Sequence, residues 1–158
     1  MVRKAKISDA ERIAEIHVFS WRTSYRHMLS DEILFNKLNV QTSLNRHREN
    51  LSTEEQTLWV YDDGIIKGFM AAVEEGDFLE IKAIYIDPAF YREGCGAALM
   101  SFAEEYAEKQ GISQMFLWVL EGNSAARRFY EKHGYSSDGV RTYREVLDAH
   151  ELRYSKKL

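Results

Sequence analysis

Cysteine and proline are almost missing from this sequence of 158 residues, which contains one of each, Cys95 and Pro88. A single cysteine excludes a disulfide within the chain, and the first residues alternate in charge where a secretory signal peptide needs an apolar stretch. No apolar run approaches the length that crosses a membrane. These absences predict a cytoplasmic protein that does not bind a membrane.

The sequence also lacks repeats, low-complexity tracts and linkers, so we expect a single domain over residues 1–158. Charge of one sign does not dominate, because 21 Lys and Arg residues stand against 25 Asp and Glu residues, a net charge of −4 at pH 7. Such a balance gives no field that attracts a polyanion, which argues against nucleic acid as a partner. Any anion would have to bind at a local site.

Hydrophobic residues make up 45% of the chain, and their periodicity predicts alternating helices and strands. The predicted helices cover residues 9–27, 31–38 and 42–51, with Ser8 or Asp9 and Ser30 as caps, and two later helices end at Gly111 and Gly134. The predicted strands cover residues 2–6, 57–61, 65–73, 78–86, 114–120, 139–145 and 151–156. The last two strands read as an antiparallel pair, and the whole order is that of a mixed α/β protein.

The most informative segment, residues 84–100, is a strand that leads through a glycine-containing turn into an amphipathic helix. Gly94 and Gly96 permit backbone conformations closed to other residues, so successive N–H groups can converge on a phosphate at the helix N-terminus. The Gly-Lys-Ser/Thr of a P-loop is absent. Leu99 stands where a dinucleotide fingerprint needs a small residue, which disfavours a dinucleotide-dependent oxidoreductase although Glu121 ends the next strand.

Two motifs together resemble those of the GCN5-related N-acetyltransferases, the GNAT family. The first reads Tyr91-Arg92-Glu93-Gly94-Cys95-Gly96, where the family has Gln/Arg-x-x-Gly-x-Gly/Ala, so that Tyr91 departs from the pattern. The second reads Asn123-Ser-Ala-Ala126-Arg-Arg-Phe129-Tyr130-Glu-Lys132-His-Gly134-Tyr135 and resembles Asn-x-x-Ala-x-x-x-Tyr-x-x-x-Gly-Phe. The resemblance implies the GNAT fold, an α/β arrangement with a mixed, mostly antiparallel sheet of about seven strands flanked by helices.

The resemblance also implies that acetyl-coenzyme A (acetyl-CoA) is the cofactor, with the pantetheine arm along the strand before the turn and the phosphates at the turn. Arg92 and Arg128 are the candidate phosphate ligands, and Asn123 fits a helix cap as well as a coenzyme contact. The implied cofactor-binding residues are Ile84, Tyr85, Ile86, Tyr91, Arg92, Glu93, Gly94, Cys95, Gly96, Ala97, Asn123, Ala126, Arg128 and Tyr130. The five histidines show no metal-ligand spacing, so no metal is expected.

The implied reaction is direct transfer of the acetyl group to an amine in a ternary complex, with Tyr130 as the acid and Glu80 as the base. Strand alternation would place Glu80 on the same sheet face as Ile84 and Ile86. A core aromatic at Tyr130 and a solvent-facing carboxylate at Glu80 are the plainer interpretations. A covalent route through Cys95 is less expected than simple packing of that residue. The alternative function is a non-catalytic acetyl-CoA sensor.

In this family the acceptor site lies between the first two helices and the last strand pair. The candidate substrate-binding residues are Ser20, Trp21, Ser24 and Tyr25 on the first helix, with Tyr143 opposite. Their aromatic walls and polar tips suit an amine of a small molecule or peptide, and core packing explains Trp21 equally well. The identity of the acceptor stays open, as does a homodimer.

Overall fold

A seven-stranded sheet organises the computed structural model, which describes residues 1–53 and 55–158. Its strands are β1 (Val2–Lys4), β2 (Thr57–Asp62), β3 (Ile66–Glu75), β4 (Phe78–Ile86), β5 (Gln114–Leu120), β6 (Ser136–Arg144) and β7 (Ala149–Lys157). The spatial order is β1-β2-β3-β4-β5-β7-β6. Every neighbouring pair is antiparallel except β4 and β5, which are parallel. The predicted α/β fold with a mostly antiparallel sheet is therefore confirmed.

The α-helices that flank the sheet in the described part of the chain are α1 (Ala10–Ser24), α2 (Val40–Thr53), α3 (Cys95–Lys109) and α4 (Ser124–Lys132). The predicted helix over residues 31–38 is a π-helical segment, Glu32–Lys37. α1 ends at Ser24 instead of residue 27, because Tyr25 leaves the helical conformation at φ −110° and ψ 8°. α2 begins at Val40 because Asn39 caps it, with the Thr42 N–H donating to Asn39 Oδ1 at 3.0 Å.

Apolar side chains are buried on both faces of the sheet. Leu99 and Ala103 of α3 pack with Ile81 and Met115 of the sheet on one face. The other face buries Ile13 and Ile16 of α1 and their neighbours against Phe69 of β3 and a second group of strand residues. Full burial of a Leu, Ile, Met or Phe side chain stabilises the folded state by about 1.5–3 kcal/mol relative to leaving it exposed. The sheet is thus the middle layer, and helices on its two faces can approach the same strand from opposite sides.

Among the residues that the structure describes, no helix combines the length and apolarity that crossing a bilayer requires.

Candidate functional site

β4 and β5 pair over only the first part of their length. The paired residues are 78–81 with 114–117, although β4 continues to Ile86 and β5 to Leu120. β4 stays paired with β3 as far as Ile86, so beyond Ile81 its other edge has no strand partner among the described residues. A cavity of about 390 Å³ lies along this edge, and we call it the β4–β5 cleft. Unpaired backbone N–H and C=O groups at such an edge can bond to an extended ligand as they would to an added strand.

A β-bulge in β4 lies at the point where its pairing with β5 ends. The register with β3 shifts between Ile81 and Ala83, which leaves Lys82 as the inserted residue. One inserted residue reverses the direction of every side chain beyond it. Ile84 and Ile86 consequently pack against the same core cluster as Ile81, on the α3 face of the sheet.

Glu80 lies before the bulge, so its side chain does not share a face with Ile84 and Ile86. The prediction from simple alternation was wrong, because alternation holds only while no residue is inserted. Glu80 instead lines a second cavity on the α1 face, together with Ala83 and Tyr85. Its carboxylate accepts a hydrogen bond from Lys82 Nζ at 3.0 Å.

The turn before α3 has two residues in the left-handed region. Gly94, the N-cap of α3, has φ 82° and ψ 0°, and Arg92 has φ 67°. A Cβ at Gly94 would meet nothing within 4 Å, so the position favours glycine because of its dihedral angle and not because of crowding. Left-handed residues that alternate with others turn successive N–H groups toward one point, which binds anions.

Gly96 has a different role, since it lets α3 approach α4 closely. A Cβ there would lie 3.3 Å from Cζ of Phe129. This close approach brings the second motif of the sequence, on α4, to the wall of the β4–β5 cleft. The anion-binding turn, the helix N-terminus and the unpaired strand edge therefore fit a ligand with phosphates at one end and amide groups along its length, as coenzyme A has.

Twelve of the fourteen predicted cofactor residues line the β4–β5 cleft, namely Ile84, Tyr85, Ile86, Tyr91, Arg92, Gly94, Cys95, Gly96, Ala97, Asn123, Ala126 and Tyr130. Glu93 and Arg128 do not. The Glu93 carboxylate is held at 3.0 Å by Lys67 Nζ, and Arg128 lies on the exposed side of α4. A cofactor contact from these two side chains therefore stays a prediction, since neither lines the cleft.

Tyr130 is buried in the cleft wall, with 9% of its surface exposed. Burial raises the pKa of its phenol above the ordinary value of 10, with a smaller contribution from Tyr85. Its hydroxyl has no hydrogen-bond partner among the described residues, so the proton-bearing oxygen is available to a ligand. Asn123 Oδ1 accepts the N–H of Ala126 at 3.1 Å, which confirms the predicted helix cap.

Cys95 is buried, and burial raises the pKa of its thiol although the side chain lies at a helix N-terminus. A buried thiol with a raised pKa contains little thiolate at neutral pH and is a poor nucleophile. The structure therefore favours packing for Cys95, as the sequence indicated.

The second cavity, of about 510 Å³, lies between α1, α2 and the sheet, and we call it the α1–α2 cavity. The two cavities share six lining residues, namely Tyr25, Ile81, Lys82, Ala83, Tyr85 and Trp118. They meet where β4 and β5 stop pairing, so a ligand along the cleft and a ligand in the α1–α2 cavity can touch through the sheet. The junction of the two cavities is therefore the place where two bound ligands could react with each other.

The predicted substrate residues are divided between the two cavities. Ser20 and Ser24 line the cleft, Trp21 lines the α1–α2 cavity and Tyr25 lines both. Tyr143 lines neither, because strand alternation places it with its partner His150 on the opposite sheet face from Arg144 and Glu151. Its exposed hydroxyl donates to Asp148 instead.

Glu151, on β7, is a residue of the α1–α2 cavity that the sequence did not reveal. Burial raises the pKa of its carboxyl group, while Arg144, at 3.3 Å, and Lys82 act against that shift. A carboxylate with a raised pKa is better matched to accepting a proton near neutral pH than an exposed one. The only signal that could have identified it is the position of β7 beside β5, which local patterns do not contain.

A pair of buried histidines forms the inner wall of the α1–α2 cavity. His17 Nδ1 lies 2.9 Å from Ser43 Oγ and 3.2 Å from His47 Nε2, and the His17 ring stacks on Tyr85 with centroids 5.5 Å apart. Burial lowers the pKa of His17 to about 3 and that of His47 to about 4, helped by the cation of Arg46. Both rings are therefore neutral at pH 7.

Comparison with known proteins agrees with this geometry. Residues 10–135 match the sequence model of the acetyltransferase (GNAT) family. An uncharacterised N-acetyltransferase of Bacillus subtilis is 34% identical over 146 residues, which cover 88% of this chain and 80% of the relative. A spermidine N(1)-acetyltransferase of Thermoplasma acidophilum is 26% identical over 141 residues, 85% of this chain and 86% of the relative.

Among solved structures, the PaiA N-acetyltransferase from Thermoplasma acidophilum in complex with coenzyme A aligns with a TM-score of 0.79 and 23% identity. The alignment covers 100% of this chain and 98% of that chain. At this identity the likeness concerns the fold.

Proposed function

Because this chain belongs to the acetyltransferase (GNAT) family, we propose that it transfers an acetyl group directly to an amine of a small molecule or peptide in a ternary complex. Family membership confirms the resemblance carried by the two motifs, and acetyl-CoA is the cofactor of this N-acetyltransferase. The observation that carries the proposal is the junction of the β4–β5 cleft with the α1–α2 cavity. Two ligands that meet at one opening need no intermediate on the protein.

Acetyl-CoA, when bound, supplies a thioester whose carbonyl carbon the amine attacks. We assign it to the β4–β5 cleft, with the N–H groups around Gly94 and Gly96 on the phosphates and the free edge of β4 beside the pantetheine arm. Arg92 lines the same cleft and is the cation that we assign to a phosphate.

An ammonium group must lose a proton before it can attack. We assign that proton to Glu80, which lines the α1–α2 cavity and is only 13% exposed. Glu151 is the second candidate, because its carboxyl group lines the same cavity. Tyr130, which lines the β4–β5 cleft, would give its proton to the departing sulfur, and burial keeps that phenol protonated over the whole neutral range.

The proposal is tested by measuring thiol release from acetyl-CoA with a panel of amino acids, short peptides, aminoglycosides and polyamines, the last suggested by the Thermoplasma relative. We expect turnover on at least one acceptor, and intersecting lines in a double-reciprocal analysis as a ternary complex requires. Parallel lines would indicate an acyl-enzyme instead. Cofactor binding without turnover on any acceptor would favour the sensor.

The same assay separates the two candidate bases. Replacing the true base by an isosteric amide, in Glu80→Gln or Glu151→Gln, should lower kcat by about 10²–10⁴-fold and remove the acidic limb of the pH–rate profile. The other variant then serves as the matched control and should keep that limb. A limb that survives in both variants would exclude both carboxylates and leave a water relay.

A further inference from the structure

The α1–α2 cavity carries more positive than negative charge, in contrast to the chain as a whole. Four cations and two carboxylates line it, namely Lys37, Arg46, Lys82, Arg144, Glu80 and Glu151. The two histidines of its inner wall are neutral, since burial lowers their pKa values. The net charge of the full sequence is −4, so this local excess of positive charge is not a consequence of composition.

Two of the four cations are already neutralised by the two carboxylates. Lys82 Nζ lies 3.0 Å from Glu80, and Arg144 lies 3.3 Å from Glu151. The other two, Lys37 and Arg46, make no ion pair with any carboxylate of the described residues. The excess therefore belongs to the outer wall of the cavity, formed by α2 and the π-helical segment.

Arg46 lies close to the inside of this cavity as well as to solvent. It lines the cavity together with His17 and His47, and its side chain is exposed to solvent. Arg48, two residues further along α2, does not line the cavity and is paired with Glu11 at 3.1 Å. Of these two arginines on α2, only Arg46 lines the cavity and has no carboxylate partner among the described residues.

We propose that the acceptor is a primary amine that also carries a carboxylate, an amino acid or short peptide, with the carboxylate on Arg46 and Lys37 and the amine toward Glu80. The proposal rests on the proposed acetyl transfer and names the substrate class of that site. Guanidinium binds a carboxylate through two parallel N–H donors, and a lysine nearby adds a point charge. The aromatic walls formed by Trp21, Tyr85 and Trp118 suit an apolar body between the two charged ends.

The same distribution of charge disfavours a polyamine. Such a molecule carries positive charge along its length, and at the outer wall it would meet two cations that pair with no described carboxylate. We therefore expect spermidine to be a poor acceptor here, although the Thermoplasma relative is named a spermidine N(1)-acetyltransferase.

Matched acceptors test the inference, because an amino acid and its amide have the same body and the same amine. Wild-type protein should acetylate the carboxylate member of at least one pair with about fivefold to tenfold higher kcat/KM, as loss of one partly exposed charged hydrogen bond predicts. The pairs should include α-amino acids, ω-amino acids and dipeptides, so that the distance between amine and carboxylate varies. Arg46→Gln should remove the preference, and Arg48→Gln should retain it.

A reversal variant and a binding measurement complete the experiment. Arg46→Glu should favour the amides and raise activity on spermidine. Tryptophan fluorescence follows binding without turnover, because Trp21 and Trp118 line the cavity, and the carboxylate of the preferred pair should bind about fivefold more weakly to Arg46→Gln than to Arg48→Gln.

The outcomes distinguish the two proposals. An amide or spermidine preferred in every comparison, or a preference unchanged in Arg46→Gln, would overturn the acceptor class and leave acetyl transfer intact. Absence of turnover on every acceptor would overturn both.

Discussion

Tyr130 shows how one side chain takes its chemical character from its surroundings. A free phenol has a pKa near 10, and burial in the cleft wall raises that of Tyr130. The group is therefore always protonated at neutral pH but is a weaker acid than a free tyrosine. An acid of this kind is useful only where the group that it protonates is a strong base, as a departing thiolate is.

We predict that Tyr130→Phe lowers kcat by about one hundredfold or more and leaves cofactor affinity nearly unchanged, because only the transferable proton is lost. Tyr135→Phe is the matched control. Tyr135 is a neighbouring buried phenol, with ring centroids 6.4 Å apart, but its hydroxyl contacts Met115 Sδ and does not line the cleft. Steady-state rates and calorimetry with coenzyme A measure the two effects. Equal losses in both variants would indicate a packing role for Tyr130.

The backbone conformation of the turn before α3 should determine how tightly the cofactor binds. We predict that Gly94→Ala destabilises the protein by about 1–2 kcal/mol, the cost of a left-handed non-glycine residue. It should also weaken cofactor binding, because relaxation of the turn moves the N–H groups away from their common point.

Gly76→Ala is the control for this prediction. Gly76 has φ 60° in the turn between β3 and β4, and a Cβ there would also meet nothing within 4 Å, as at Gly94. We expect a similar loss of stability in thermal unfolding, a shift of about 2–4 °C per kcal/mol for a chain of this size. Coenzyme A affinity should be unaffected in Gly76→Ala. Affinity that falls equally in both variants would mean that global stability, and not the turn, limits binding.

Features encoded by adjacent residues could be predicted from the sequence, and features that depend on pairing between strands could not. The elements around Gly94 and Asn123 were predictable, because a strand, a glycine turn and a capped helix are encoded by adjacent residues. The bulge at Lys82 was not, since it exists only in the register between β3 and β4. For that reason the residues of the β4–β5 cleft were largely predicted, whereas the direction of Glu80 was not.

The residues that line the α1–α2 cavity come from distant parts of the chain, so the overall fold determines which of them meet there. β7 lies between β5 and β6, and this order brings Glu151 to the cavity. Strand order depends on how distant segments pack, so no local pattern contains it. The histidine pair, joined from α1 and α2, escaped prediction for the same reason.

That buried pair makes folding depend on pH. The folded pKa values are lowered, so between about pH 6.5 and pH 4 the unfolded chain binds protons that the native protein excludes. Stability is thus complete above pH 6.5 and falls as the pH decreases, by up to about 1.4 kcal/mol per pH unit for each histidine. Glu151, whose pKa is raised, contributes in the opposite sense.

We predict that the double variant His17→Gln/His47→Gln has a flatter stability profile between pH 7 and pH 4.5 than the wild type, measured by urea unfolding. His27→Gln, a substitution at an exposed histidine, should leave the slope as it is. A slope that is unchanged in the double variant would mean that other groups cause the acid sensitivity.

The short ladder between β4 and β5 also affects the stability of the sheet. Among the described residues, four residue pairs join strands β1–β4 to strands β5–β7, and only the β1–β2 ladder at the edge of the sheet, with three pairs, is shorter. A coenzyme bound along the free edge of β4 would contact both β4 and β5 and so strengthen the connection between these two strands. At one hundred times its dissociation constant, such a ligand adds about 2.7 kcal/mol to the free energy of unfolding. The concentration of the acetyl donor would then govern the stability of the folded chain as well as its rate of turnover.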